Sequence, residues 1–223
     1  DGCFVKHQVP RVEKYRMTRQ ENLTSLSVSR ETTAQLNEFV ALVKKWNPVI
    51  NLIAKGSISN IWSRHIEDSA QIIALAKLSD YWIDIGSGGG FPGIVVAICL
   101  KEISPSTCVI LVESDLRKAA FLRQAAATLE LNCEIHSSRI ESLTLARAAT
   151  VSARALAALP KLLEYAETLV EADGVCLFMK GQSHQDELAA AQKSWSFEHD
   201  IVPSQTDIHA AVLKIRNIRR AAA

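Results

Sequence analysis

The segment that most constrains this chain is Tyr81-Trp82-Ile83-Asp84-Ile85-Gly86-Ser87-Gly88-Gly89-Gly90-Phe91-Pro92-Gly93. It reads as a short apolar strand, a glycine loop and the first turn of a helix. Glycine lets backbone approach a ligand closely, because it has no Cβ and reaches φ > 0 without steric cost. A helix starting there turns free N–H groups toward the same place. A nucleotide-like cofactor suits such a loop.

The surrounding pattern says what carries the loop. Residues 1 to 28 show no clear periodicity and read as an irregular leader. Residues 29 to 79 read as a helical extension: Leu36, Phe39, Val40, Val43 and Trp46 share one helical face, Pro48 stops that helix, and a second helix runs from about Ile58 to Leu78. From residue 80 to 220 strands and helices alternate. Strands are expected at Tyr81 to Ile85, Cys108 to Glu113, Cys133 to His136, Thr150 to Ala153 and Val175 to Met179. Helices are expected at Gly93 to Lys101, Asp115 to Leu131 (Leu116 on its buried side), Pro160 to Ala172 (ended by Asp173-Gly174) and Ser183 to Lys193. Two late strands, Ser196 to Val202 and Ala210 to Ile215, have no helix between them. The alternation predicts an α/β fold, a doubly wound, mostly parallel sheet with helices on both faces and an antiparallel edge hairpin.

The bulk numbers agree. With 223 residues, 48% of them hydrophobic, the chain can bury one α/β core plus a small extension. Its apolar runs are too short to cross a bilayer, and its first residues lack the apolar core of a secretory signal. The five cysteines form no C-x-x-C pair and are odd in number. A disulfide framework or a metal site is therefore not expected, and a reducing cytoplasm fits. Net charge is +1, so nucleic acid would have to be met through local patches. Arg11, Lys14, Arg16 and Arg19 form one candidate, and Arg216, Arg219 and Arg220 another; taken alone, both read first as solvated ends.

In an open α/β sheet the ligand lies at the carboxyl ends of the strands, where strand order reverses. Gly88, Gly90 and Gly93 satisfy the G-x-G-x-x-G spacing, which admits NAD and an oxidoreductase. Two residues favour S-adenosylmethionine instead. Asp84 is placed to reach a cationic amine. Pro92, at the start of the helix, removes an N–H that a pyrophosphate would use. Glu113 ends the second strand, where a carboxylate accepts ribose hydroxyls of either cofactor.

Further residues carry a resemblance. Lys45-Trp46-Asn47 with Asn51-Leu52, Arg64-His65-Ile66-Glu67-Asp68-Ser69, the loop from Asp84 to Gly93, Glu113-Ser114 with Lys118, Phe121-Leu122-Arg123, Ser138-Arg139-Ile140-Glu141, Ala153-Arg154-Ala155 and Lys180-Gly181-Gln182 occur in this order. Together they resemble the bacterial 16S ribosomal RNA guanine-N7 methyltransferases historically called glucose-inhibited division protein B, from about Trp46 to Ile218. The resemblance implies a class I methyltransferase-like fold. It implies transfer of a methyl group from S-adenosylmethionine to N7 of one guanine in 16S rRNA, free or in the small ribosomal subunit. The protein is expected to be cytoplasmic and monomeric. By position, Gly86, Ser87, Gly88, Gly90 and Phe91 would hold the methionine end with Asp84, and Glu113 the ribose. Ile140 and Glu141 would lie near the adenine. Arg154 would line the entry of the guanine and position it, and would also belong to the cofactor site. Lys180, Arg139 and Arg123 would meet RNA. An acidic residue frequent in the family at the start of the fourth strand is Ala149 here, and an arginine frequent before His209 is Ile208.

Guanine N7 has a lone pair and no proton, so placing it in line with the methyl group is the main task and no general base is expected. His65 is read either as a cap on the cofactor pocket or as a brace between helices, Trp46 and Trp62 as packing residues. A non-catalytic RNA-binding or ribosome-assembly protein and a small-molecule methyltransferase are the other readings the residues admit.

Overall fold

The computed structural model describes residues 28–221. Seven strands form one sheet: β1 (Tyr81–Ile85), β2 (Cys108–Val112), β3 (Cys133–His136), β4 (Ala148–Arg154), β5 (Val170–Lys180), β6 (Trp195–Pro203) and β7 (Ala211–Arg220). Their order is β3-β2-β1-β4-β5-β7-β6. The first five are parallel, β7 is antiparallel to β5, and β6 pairs antiparallel with β7 at the edge. The chain leaves β1 toward β2 and β3, then crosses to β4 on the other side. Strand order thus reverses between β1 and β4, at the glycine loop.

The continuous apolar runs of β1 and β2 follow from burial on both faces. Trp82, Val109 and Leu111 face one cluster, while Ile83, Ile85, Ile110 and Val112 face the other. Helices α3 (Gly93–Ile103) and α4 (Leu116–Thr128) cover the first face, and α5 (Leu159–Leu169) and α6 (His184–Ala191) cover the second. Helix α1 (Arg30–Ile50) lies over α3 and α4 and shares their cluster through Leu36, Phe39, Val40 and Val43. Helix α3 is accordingly buried from Gly93 to Leu100.

Several boundaries differ from the sequence reading. Pro48 does not stop α1; the helix ends at Ile50, where Asn51 turns left-handed at φ 44°. Proline removes one backbone bond and crowds the carbonyl four residues back, but the last turn is still closed by the Asn51 amide, which donates to the Asn47 carbonyl at 3.0 Å. The expected second helix is broken into a 3-10 turn at Lys55–Ser57, a wide π-helical turn at Trp62–Glu67, a single α turn, α2 (Asp68–Ala70), and a 3-10 turn at Gln71–Leu75. Asp173-Gly174 lies inside β5, at a register shift against β4, and does not end a helix. Leu116 is 69% exposed, because Asp115 caps α4 from the N-terminal side and leaves the first turn at the surface. The leader up to residue 27, with Arg11, Lys14, Arg16 and Arg19, lies outside the described residues. No helix among the described residues is long and apolar enough to cross a membrane.

Candidate active site

The loop after β1 is built from beneath. Asp84 is fully buried. Its Oδ1 accepts from the Ser152 hydroxyl at 2.7 Å and its Oδ2 from the Gly93 amide at 3.2 Å. Ser152 in turn accepts from Trp82 Nε1 at 2.9 Å. These bonds tie β1, β4 and the start of α3 together. Gly93 is needed there, since a Cβ would lie 2.2 Å from Leu111 Cδ2 and 2.6 Å from Asp84 Oδ2. The sequence reading sends Asp84 to a ligand amine. The structure turns its carboxylate under the loop, away from the cavity lining, because the Gly93 amide and Ser152 hydroxyl capture it there. Burial pushes this carboxyl up to about 6, against the pull of the Ser152, Ser87 and Gly93 hydrogen bonds and of the Arg154 charge.

Above the loop lies a cavity of about 460 Å³. Gly86, Ser87, Gly88, Gly89 and Phe91 form one side; Glu113 and Ser114, just after β2, and Lys118, in the first turn of α4, form another. Ser138, Arg139, Ile140, Glu141 and Tyr165 form the far wall. The structure therefore brings together every residue assigned to the cofactor except Asp84 and Gly90, whose places are beneath the loop. Glu113 is 8% exposed; its Oε2 accepts from the Gly88 amide and its Oε1 from the Asp115 amide, each at 2.8 Å. It braces the loop while lining the cavity. Glu141 Oε1 accepts from Tyr165 Oη at 2.7 Å, which holds this carboxyl below its ordinary range. Tyr165 comes from α5, far along the chain, and nothing local in the sequence marks it. Leu156 is likewise unmarked, yet it covers Gly86 so closely that a Cβ on that glycine would meet Leu156 Cδ1 at 2.6 Å.

A second cavity, of about 590 Å³, lies beside the first. Arg154, Ala155 and Leu156 line both and so form a shared wall. Asp68, Gln71, Met179, Lys180 and Ser204 are among the other lining residues. The Arg154 guanidinium lies 5.1 Å from the centre of the Phe91 ring and reaches the Arg64 carbonyl at 3.3 Å. Burial draws its pKa down, and Asp68 opposes that. His65 stands 5.0 Å from Phe91, ring centre to ring centre. The Ser57 hydroxyl donates to the Ala54 carbonyl, so it accepts from His65 Nε2 at 2.9 Å. The proton is thus on Nε2, and the buried Nδ1 has no partner among the described residues. Burial, then Arg154 and Arg64, lowers this imidazole to about 4. His65 is absent from both cavity linings and braces Phe91.

Lys180 departs from its expected role. It is 8% exposed, and its Nζ donates to Glu187 Oε2 at 2.7 Å and to the Ala157 carbonyl at 2.6 Å. It holds the loop after β4, and two of its three ammonium donors are engaged while it lines the second cavity; the partner on α6 could not be read from local sequence. Arg139 is exposed on the rim of the first cavity, and exposed Arg123 donates to Ser137 Oγ at 2.7 Å. In the candidate basic end, Arg216 pairs with Asp200 and Glu198, and Arg220 lies 3.9 Å from the Trp195 ring centre and from Glu167 Oε2.

Solved structures share this architecture. A TehB-like SAM-dependent methyltransferase from Corynebacterium glutamicum superposes with a TM-score of 0.55 at 12% identity, over 82% of this chain and 99% of that one. An O-methyltransferase from Bacillus cereus, in complex with SAH, gives 0.55 at 14%, over 82% and 91%. At that identity the likeness shows the fold. Sequence relatives carry the family. The ribosomal RNA small subunit methyltransferase G of Cereibacter sphaeroides is 49% identical over 201 residues, 90% of this chain and 98% of that protein. Its namesake from Gluconobacter oxydans is 44% identical over 194 residues, 87% of this chain and 98% of that protein. The family model described as rRNA small subunit methyltransferase G matches residues 32–218. Since that span includes nearly all of α1, the residues of both cavities and most of the edge hairpin, the chain belongs to the rRNA small subunit methyltransferase G family.

Proposed function

We propose that this protein transfers a methyl group from S-adenosylmethionine to N7 of a guanine in 16S rRNA. The observation that carries the reading is the pair of cavities sharing Arg154, Ala155 and Leu156 as one wall, in a chain of this family. The first cavity fits the methyl donor. Its glycine loop offers backbone close to the ligand, Glu113 offers spare carboxylate lone pairs for ribose hydroxyls, and Ile140 offers an apolar face for a base. Bound there, S-adenosylmethionine supplies an electrophilic methyl group on a positively charged sulfur.

The chain's own part is placement. Guanine N7 has a free lone pair, so no side chain has to remove a proton. This agrees with His65 being held neutral and outside both cavities. Orienting two reactants in this way accounts for about 7–11 kcal/mol of barrier in favourable cases. Arg154, on the shared wall, is suited to contact O6 or a phosphate. N7 faces the deep, narrow major groove of A-form RNA, so the acceptor has to be a loop or splayed-out base. Arg139, exposed on the rim of the first cavity, and exposed Arg123, bonded to Ser137 next in sequence to the lining residue Ser138, are suited to the RNA backbone. The protein works where rRNA is, in the cytoplasm, and acts as a monomer.

The test is binding and transfer together. S-adenosylmethionine should bind and NAD should not, by calorimetry. Labelled methyl should pass to small-subunit RNA, either naked or in the subunit. Binding of NAD in place of S-adenosylmethionine would restore the oxidoreductase reading. Donor binding without transfer to either RNA form would favour a small-molecule acceptor or a non-catalytic role.

A further inference from the structure

The second cavity contains two carboxylates, and they differ in what they have left to offer. Glu187 Oε2 is engaged by Lys180 Nζ at 2.7 Å and by the Leu159 amide at 2.8 Å, and its Oε1 accepts from Ser183 Oγ at 3.3 Å. Asp68 is held differently. Its Oδ1 accepts from Gln71 Nε2 at 2.8 Å, Thr206 Oγ1 at 3.0 Å and Ser204 Oγ at 3.3 Å. Three donors on one oxygen fix the carboxylate plane. Gln71 Oε1 accepts from the Gln205 amide at 3.0 Å, so the loop that carries Ser204 and Thr206 is fixed as well. Oδ2 meets only Arg154 Nη1 among the described residues, at 3.5 Å, the limit of a hydrogen bond. The side chain is 17% exposed and lines the cavity. A largely buried carboxylate with one oxygen saturated and the other nearly free is an acceptor in want of donors.

We infer that Asp68 selects the acceptor base, with Oδ2 accepting from N1–H and the N2 amine of guanine. The assignment rests on the proposed transfer to guanine and adds the residue that reads it. Guanine presents two adjacent donors on that edge. Adenine presents the unprotonated N1 there, and cytosine and uracil offer one donor beside an acceptor. A fixed carboxylate rewards the first and repels the others, because a buried polar group left unpaired is costly. A second consequence follows from charge. Methylation at N7 leaves the purine cationic and makes N1–H a stronger donor. A carboxylate on that edge therefore binds the base more strongly as charge develops than before it, which is the condition for accelerating the step. Asp68 thus offsets the unfavourable approach of Arg154 to a base that is becoming positive.

Inosine keeps N7, O6 and N1–H but lacks the N2 amine, so it isolates the contact. The acceptor guanine is first located in small-subunit rRNA by the wild-type reaction, and inosine is ligated into that position of the same RNA. Wild-type protein should prefer guanine by about 10-fold or more in kcat/KM and should also bind that RNA more tightly in the absence of methyl donor. Asp68→Asn should reduce both preferences to about 2-fold while leaving S-adenosylmethionine affinity within about 2-fold. A merely structural role would lower both substrates alike and keep the ratio. If Asp68→Asn fails to fold, Thr206→Val decides, since it withdraws one donor from Oδ1 and frees the carboxylate to turn: a reduced guanine preference supports the assignment and an unchanged one overturns it. Wild-type protein that accepts inosine as well as guanine also overturns it, with the methyl transfer itself left standing. No label in guanine RNA would overturn the transfer, and the assignment with it.

Discussion

Asp84 is a fully buried carboxyl beneath the glycine loop. Burial holds its carboxyl at about 6 in the folded chain, against 3.8 for the free group. Between those values the native state keeps a proton that the unfolded chain has released. Stability therefore falls as pH rises through that window. Asp84→Asn removes the titration. Denaturant unfolding at pH 4 and pH 7 should show the variant gaining on the wild type by up to about 3 kcal/mol as pH rises, since each tenfold change in proton affinity corresponds to about 1.4 kcal/mol. An equal difference at both pH values would mean that the carboxyl is not perturbed. Gly88 makes a complementary case. Its φ is +54°, and its amide donates to Glu113. Gly88→Asp adds left-handed strain of about 1–2 kcal/mol and sets a second carboxylate beside Glu113. Calorimetry should show S-adenosylmethionine binding weakened by at least roughly 10-fold. The glycines and Glu113 are legible in the sequence because their spacing is local. The direction of Asp84 is not, because Ser152 and Gly93 reach it from other elements.

At the scale of elements, the extension before β1 and the sheet that follows are held by one apolar cluster. Phe39 of α1 lies 5.2 Å from Phe91 and 6.3 Å from Phe121, ring centre to ring centre. Phe91 in turn is the platform beneath Arg154 and His65. Phe39→Ala should cost about 3–5 kcal/mol, the range for a buried aromatic, and should unfold the molecule in one transition. Two transitions would mean that α1 folds as a separate unit. The strands and most helices can be read from periodicity, since apolar runs in β1, β2 and α3 are long enough to announce burial. The segment between α1 and β1 cannot. Its apolar residues keep near-helical spacing, while the π-helical turn at Trp62–Glu67 and the 3-10 turns around it answer to packing against Phe91, Gln205 and Thr206. Lys180 escapes a sequence reading for a related reason: its partners, Glu187 and the Ala157 carbonyl, belong to α6 and the loop after β4.

For the molecule as a whole, the reversal of strand order between β1 and β4 creates one place where two cavities meet across Arg154. Net charge of +1 gives no global field to draw in RNA, so recognition has to come from a few residues near that wall. Arg154→Ala should lower methyl transfer to RNA more than it lowers S-adenosylmethionine affinity. Equal losses in both, measured by transfer kinetics and calorimetry, would move the arginine into the donor site alone. The central claim, that N7 of a guanine is the acceptor, is met most directly by one analysis: labelled methyl is transferred from S-adenosylmethionine to small-subunit RNA, and the RNA is digested and resolved into nucleosides. The label is expected in 7-methylguanosine. Label in any other nucleoside, or in none, would contradict it.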